Sequence, residues 1–129
     1  MKLQIVAPVK QEPIYKASVH STGRIAFTID SANKFGIDIS KSMILAVNIE
    51  DPEDTSIYGI LSPVDDVNGY KIQKAGKYHS VNAKGFFLSA GYQYSKGDIQ
   101  FTITEVKVDE NTTALKFTPK VPMEQKLPF

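Results

Sequence analysis

The sequence contains no cysteine and no tryptophan, and it has only two histidines. Without cysteine the chain forms no disulfide, carries no thiolate nucleophile and offers no cysteine-based zinc site. His20 and His79 have no carboxylate nearby at helical spacing, so the sequence predicts no histidine metal site. The Gly-x-Ser-x-Gly motif and the usual glycine-rich phosphate loop are also absent. We therefore expect a protein that is not an enzyme and that uses no cofactor.

Long apolar segments are missing as well. No apolar run reaches eighteen residues, so the sequence predicts no membrane-spanning helix. The apolar stretch within residues 1–8 is too short for a secretory signal, and the lack of cysteine fits a reducing compartment, so we expect a cytoplasmic protein. The length of 129 residues, with 42% hydrophobic and 22% charged residues, predicts a single folded domain over 1–129.

Acidic residues are absent from a long central segment. The net charge is only +1, but residues 67–97 contain five lysines and no Asp or Glu. Residues 23–66 show the opposite bias, with eight acidic residues against three cations. The net charge gives no reason to expect polyanion binding, whereas this asymmetry predicts that the two parts of the chain have different roles.

Two stretches of the chain repeat the same order of features. Each begins with glycine, a cation and a β-former, at 23–25 and at 76–78, and each closes on Ser or Thr before Pro. A recurring order of this kind predicts two similar halves, 14–63 and 69–119. Residues 1–13 and 119–129 hold five of the seven prolines, and we expect the flanks 1–13 and 120–129 to be extended.

Residue periodicity predicts the same secondary structure in both halves. Alternating apolar and polar residues indicate strands, and a glycine ends each short helix, at Gly36 and at Gly91. Asp30 or Ser31 is expected to cap the first helix and Asn82 the second. The predicted elements are strands 14–20 and 24–29, helix 32–35, strands 43–49 and 56–61, strands 70–73 and 77–81, helix 83–90, and strands 99–108 and 113–118. We therefore predict an α+β, strand-dominated fold, in which two strand–strand–helix–strand–strand halves are related by a pseudo-twofold.

The basic segment also contains most of the tyrosines of the second half. Cations that follow a phosphate backbone, together with aromatic rings that stack on bases, are typical of single-strand binding. The alternative is structural, because Phe86 and Phe87 are typical core residues of a helix and lysines often protect an edge strand. The predicted nucleic-acid-binding residues of this segment are Lys71, Lys74, Lys77, Tyr78, Lys84, Tyr92, Tyr94 and Lys96.

The first half contains Gly23-Arg24-Ile25, a helical segment ending at Phe35-Gly36-Ile37 and an apolar run from Met43. In these three features it resembles AbrB- and MraZ-type DNA-binding modules. MraZ-type proteins carry two such modules in one chain. The resemblance implies DNA binding, with Arg24 and Lys77 as the matching cations. The usual proline after the first strand is absent, and the turn at 50–54 is acidic.

Two other resemblances concern different parts of the chain. From Met43 to Ala90 the predicted order is four strands and then a helix, which resembles Whirly- and Pur-type single-strand binders. The end, Leu127-Pro128-Phe129, resembles the tip of bacterial single-stranded DNA-binding (SSB) proteins and implies a protein partner for Phe129. The acidic run that precedes that tip in the SSB family is absent here, which favours a chance ending.

These observations favour a non-catalytic nucleic-acid-binding protein, with single-stranded DNA as the expected ligand. The alternative is a structural protein that forms homo-oligomers when the acidic half of one copy meets the basic half of the next. No membrane partner is expected. The sequence leaves the choice between DNA and RNA open.

Overall fold

The computed structural model describes residues 1–8, 13–94 and 99–121. The described residues form eight strands and two helices. In chain order these are β1 (Tyr15–Val19), β2 (Arg24–Phe27), α1 (Ile29–Phe35), β3 (Lys41–Ala46), β4 (Ile57–Pro63), β5 (Tyr70–Ala75), β6 (Tyr78–Asn82), α2 (Lys84–Ala90), β7 (Ile99–Lys107) and β8 (Thr113–Pro119). The predicted order of elements is confirmed.

The strands form a closed antiparallel barrel in the order β1-β2-β6-β5-β3-β4-β8-β7. β7 pairs back onto β1, from Tyr15 opposite Ile103 to Val19 opposite Ile99, so the sheet closes without a free edge. The predicted α+β class is therefore wrong, because the described residues are mainly strand and hold just two seven-residue helices. Periodicity identifies the individual strands, but closure depends on pairing between strands that are distant in sequence.

The hairpins of the two halves alternate around the barrel. The β1–β2 hairpin lies between β7 and β6, and the β3–β4 hairpin lies between β5 and β8. The two halves therefore do not pack face to face. Their strands interleave in one sheet around a shared core.

Neighbouring strands of the barrel run in opposite directions, so most connections lie at one of its two ends; the exception is 64–69, which joins β4 to β5, two strands that run the same way. The turn at 20–23, the loop at 47–56 and α2 lie at one end, which we call the α2 end. The turns at 76–77 and 108–112 lie with α1 at the other, the α1 end. Each barrel end therefore has one short helix.

Both helices end where glycine was predicted to end them, but their N-caps differ from the expectation. Gly36 (φ 68°) and Gly91 (φ 76°) adopt the left-handed conformation that glycine tolerates best. Thr28, not Asp30 or Ser31, caps α1, and its side chain accepts a hydrogen bond from the Ser31 amide at 3.3 Å. Ala83 occupies the cap of α2 with no side-chain bond.

Aromatic and branched side chains fill the barrel. Phe27, Phe101 and Phe117 are fully buried, with the rings of Phe27 and Phe117 5.7 Å apart. At the α2 end, Phe87 of α2 is fully buried and Phe86 is nearly so. At the α1 end the helix buries its small residues Ser31 and Ala32. The bulky face of α2 is thus used for packing.

Candidate nucleic-acid interface

Three neighbouring strands present the predicted basic surface. Ile25 on β2, Val81 on β6 and Ile72 on β5 stand opposite one another and are buried in the barrel. Because side chains alternate along a strand, their neighbours Arg24, Ser80 and Gln73 point to the outer face. Strand alternation therefore brings Arg24 of the first half onto the same outer face as Lys71 of the second. Lys74 shares the parity of the buried Ile72 and lies beyond it, near the end of β5.

Arg24 has a fixed orientation on this wall. Its Nη1 donates to Oε1 of Gln73 at 2.6 Å and to Oγ of Ser80 at 3.0 Å. Both acceptors are neutral, so the positive charge of the guanidinium is not cancelled by them. A guanidinium held in this way can offer its remaining N–H groups to a phosphate with little further loss of side-chain entropy.

An open groove of about 670 Å³ lies beside this arginine. Lys71 and Lys74 of β5 line the groove together with Arg24, and Ile39 contributes an apolar contact surface. Both lysines are exposed, and within the described residues neither they nor Arg24 form an ion pair with a carboxylate. Within that part of the chain, the groove therefore carries three positive charges that no carboxylate pairs with.

A second, smaller cavity of about 240 Å³ lies at the β5–β6 turn. Lys74 lines both cavities, and Lys77, His79 and Asn33 of α1 line the smaller one. Gly76 forms the turn between the two lysines with φ 60°. The smaller cavity thus continues the basic surface toward the α1 end.

Lys84 extends the basic surface in the opposite direction. It is the first residue of α2 and is exposed at the α2 end, where its backbone packs against the β1–β2 turn. A Cβ placed on Gly23 would lie 2.8 Å from the Cα of Lys84, and the carbonyl of Gly23 accepts the amide N–H of Ala83 at 2.9 Å. This close approach fixes Lys84 next to the strand that begins with Arg24.

The predicted tyrosines do not form an exposed stacking platform. Tyr78 is 57% exposed, but Tyr92 is only 4% exposed and packs against Phe86 and Phe87 at the α2 end. Tyr94 is partly buried, with its ring stacked 5.2 Å from that of Phe87. The ring of Tyr92 is buried against α2, so it cannot stack on a base at the predicted site. Tyr94 packs against the hydrophobic core.

Two predicted residues lie outside the described residues. These are Lys96 of the basic segment and Phe129 at the C-terminus. The basic surface is accordingly defined here by Arg24, Lys71, Lys74, Lys77 and Lys84, with Tyr78 at its edge. We refer to these six residues as the basic wall.

One carboxylate, Asp38, interacts electrostatically with His79, which lines the smaller cavity. Side-chain and backbone hydrogen bonds from Ser40 hold the pKa of Asp38 below its ordinary value, and the charges of Lys41 and His79 lower it further. Asp38 therefore remains a carboxylate at neutral pH. It lines neither of the two basic cavities.

The opposite wall of the barrel has a different character. Strand β7 lies four strands from β5 in either direction. A groove of about 470 Å³ between the β3–β4 and β7–β8 hairpins is lined by both apolar and charged residues of these strands and of the loop 47–56. At its rim the Tyr58 hydroxyl donates to Oδ2 of Asp54 at 2.5 Å, and Asn48 donates to the same oxygen at 3.3 Å. This wall carries the acidic loop 47–56.

The Asp54–Tyr58 pair perturbs both groups. Burial raises the pKa of Asp54, but hydrogen bonds from Tyr58, Ser56 and Asn48 outweigh it and lower the pKa to about 2. Burial, together with the bond to Asp54, raises the pKa of Tyr58 to about 12. Both residues stay in their neutral-pH protonation states over a wide range, which fits a structural role for the pair.

Sequence reasoning missed several residues of the basic wall's surroundings. Gln73 and Ser80 orient Arg24, and His79 and Asn33 line the cavity at the turn. Strand alternation in 70–82 could have placed Gln73 and Ser80 on one face. The approach of Asn33 depends on how α1 packs, which has no local sequence signal.

Compared with protein-family models, with curated proteins and with solved structures, the chain shows no match. Among the described residues, no three His, Cys, Asp or Glu side chains come together as a metal site would require. Neither of the helices in that part of the chain is long and apolar enough to cross a membrane. The functional assignment therefore depends on the geometry of the basic wall alone.

Proposed function

We propose that the protein binds nucleic acid without catalysis, by contacts between the basic wall and the phosphate backbone. The observation that carries the proposal is the fixed guanidinium of Arg24 in a groove shared with Lys71 and Lys74, with no carboxylate of the described residues paired to any of them. A row of fixed cations favours a polyanion, because each bound phosphate releases condensed counterions.

The burial of Tyr92 and the packing of Tyr94 change the expected mode of binding. Base stacking, which is worth about 1–3 kcal/mol per base, has just Tyr78 among the predicted tyrosines as an exposed platform. We therefore propose a mode dominated by backbone contacts, in which single-stranded and duplex DNA both bind.

Salt dependence tests this mode. If all five cations of the basic wall contact phosphates, the slope of log K against log salt is about −4.5 for duplex and about −3.5 for single-stranded DNA. Fluorescence polarisation with labelled oligonucleotides of both kinds, at salt concentrations from about 50 to about 200 mM, measures both slopes. Slopes near zero, or no binding at low salt, contradict the proposal.

The second candidate is self-assembly through opposite charges. The acidic loop 47–56 and the basic turn 76–77 leave the barrel at opposite ends, which suits a head-to-tail contact between copies. However, Asp109 and Glu110 lie in a turn at the same end as Lys77, which works against a uniformly basic contact surface. Sedimentation velocity at low salt without nucleic acid distinguishes the two, since assembly predicts a rise in sedimentation coefficient with concentration.

A further inference from the structure

The cavity at the β5–β6 turn has a composition suited to one particular anion. Lys74 and Lys77 contribute two ammonium groups, and Asn33 and His79 contribute polar side chains from two further elements. No Asp or Glu of the described residues lines the cavity, although the charge of Asp38 interacts with His79. Two cations and no carboxylate match the double negative charge that a phosphate monoester carries near neutral pH, when it is above its second pKa of about 6.

His79 adds a directional donor to this set. Its Nδ1 is sealed from solvent and has no hydrogen-bond partner among the described residues. Of the two ring nitrogens, Nε2 is therefore the one that can meet a ligand in the cavity. When the imidazole is neutral, an unbonded buried N–H at Nδ1 is the costlier choice, so the proton lies on Nε2. In the imidazolium Nε2 carries a proton as well, so in either form it can donate to a ligand.

Size separates this cavity from the groove beside Arg24. Its volume of about 240 Å³ compares with about 670 Å³ for the groove. A phosphodiester needs room for a sugar on both sides, whereas a monoester needs an exit on one side only. The smaller cavity therefore suits the end of a chain or a free phosphate, and Lys74 connects it to the groove.

We propose that this cavity binds a phosphate monoester dianion through Lys74, Lys77, Asn33 and Nε2 of His79. Two sources share this chemistry: the terminal phosphate of a nucleic-acid strand and a small free phosphate. The strand-end form rests on the proposed function, because the strand would lie in the groove that shares Lys74. The small-phosphate form stands without it.

The two histidines provide the measurement. His79 lines the cavity, whereas His20 is exposed in the β1–β2 turn at the other end of the barrel and serves as an internal reference. Inorganic phosphate replaces chloride at constant ionic strength and pH while the ring Cε1–Hε1 signals are followed by NMR. A saturable shift of His79 with His20 unmoved is the expected result. Parallel, non-saturating shifts of both signals, or no shift, overturn the proposal.

Variants identify the ligand groups. Lys77→Gln is expected to weaken phosphate binding at least fivefold by the His79 signal, while Lys107→Gln, on the opposite wall, leaves it unchanged. Both lysines are exposed, so neither change threatens the fold. Equal effects of the two variants would show that general charge, not this cavity, attracts the anion, and would overturn the proposal.

Oligonucleotides of one sequence with either a 5′-phosphate or a 5′-hydroxyl then separate the sources. Tighter binding of the phosphorylated strand, lost in Lys77→Gln, supports the strand-end form. Equal binding of the two strands overturns that form. Saturable binding of inorganic phosphate with no binding of any oligonucleotide would contradict the proposed function and leave a small phosphate as the ligand.

Discussion

Arg24 on β2 donates a hydrogen bond to Gln73 on β5 across the intervening strand β6, with Nη1 and Oε1 2.6 Å apart. Ser80 of the intervening strand β6 is only 5% exposed, and its Oγ accepts a second hydrogen bond from the same nitrogen. The first half of the chain supplies the arginine and the second half supplies both acceptors. The interleaved order of the strands is what brings them together.

Replacing Gln73 by Glu tests whether the charge of Arg24 is kept free for a ligand. The new carboxylate would pair with the guanidinium, so we expect nucleic-acid affinity to fall about tenfold or more, equivalent to about 1.4 kcal/mol. The free energy of unfolding should stay equal or rise slightly, because an exposed ion pair contributes about 0–1 kcal/mol. Fluorescence polarisation and urea unfolding measure the two quantities. Gln100→Glu on β7 makes the same charge change on the opposite wall and is the control.

Gly23→Ala tests the contact between the β1–β2 turn and α2. Gly23 has φ 88°, and an added Cβ would lie 2.8 Å from the Cα of Lys84. The backbone strain and the clash together should lower the free energy of unfolding by about 2–4 kcal/mol. Gly85→Ala is the matched control: its Cβ would meet nothing within 4 Å, and alanine should stabilise α2 by about 0.5–1 kcal/mol. Equal effects in chemical unfolding would contradict this account of the turn.

Tyr58→Phe tests the pair at the rim of the outer groove. Phenylalanine lacks the hydroxyl that donates a hydrogen bond to Asp54, and its loss should lower the free energy of unfolding at neutral pH by about 1–2 kcal/mol. The folded-state pKa of Tyr58 is raised to about 12, so its contribution is present below its ordinary value of 10.0 and is lost as pH rises toward 12. Between pH 10 and 12 the variant should therefore lose less stability than the wild type. The loss that remains in the variant is due to Tyr92, because burial raises the pKa of that residue too.

Lowering the pH tests the Asp54–Tyr58 pair through protonation of the Asp54 carboxylate. The folded-state pKa of Asp54 is lowered from 3.8 to about 2, so the stability it contributes is present above pH 4 and is lost as pH falls toward 2. In Tyr58→Phe one of the bonds that lower this pKa is missing, and the loss on acidification should be smaller. Thermal melts at a series of pH values measure this, and identical acid profiles for variant and wild type would contradict it.

The positions of strands and helices could be predicted from the sequence because they depend on local periodicity. The large apolar residues Ile25 and Phe27 are separated by the smaller Ala26 and alternate with it in burial, and Gly36 and Gly91 mark helix ends by their left-handed backbone. The closed barrel could not be predicted, because pairings such as β1 with β7 join residues that are eighty or more positions apart. Local pattern carries no information about which distant strand completes a sheet.

The exposure of the lysines at the candidate site could be predicted from the sequence, but the exposure of the tyrosines could not. Lysines such as Lys71 and Lys77 can be expected to be exposed to solvent whichever fold the strands form, because burying an unpaired ammonium group costs free energy. A tyrosine is stable on either side of a strand or helix, and α2 needs large rings to fill its end of the barrel. Tyr92 is one of those rings, whereas Tyr78, of the same segment, remains outside.

The most direct test of the proposed function reverses charge on the two walls of the barrel. Lys71→Glu with Lys74→Glu changes the basic wall, and Lys107→Glu with Lys116→Glu makes the same change in net charge on the opposite side. Binding of labelled duplex and single-stranded DNA is measured for both double variants by fluorescence polarisation in the same low-salt buffer. The account predicts that the first pair abolishes binding and that the second retains most of it. Equal retention by both, or equal loss, would contradict binding at the basic wall.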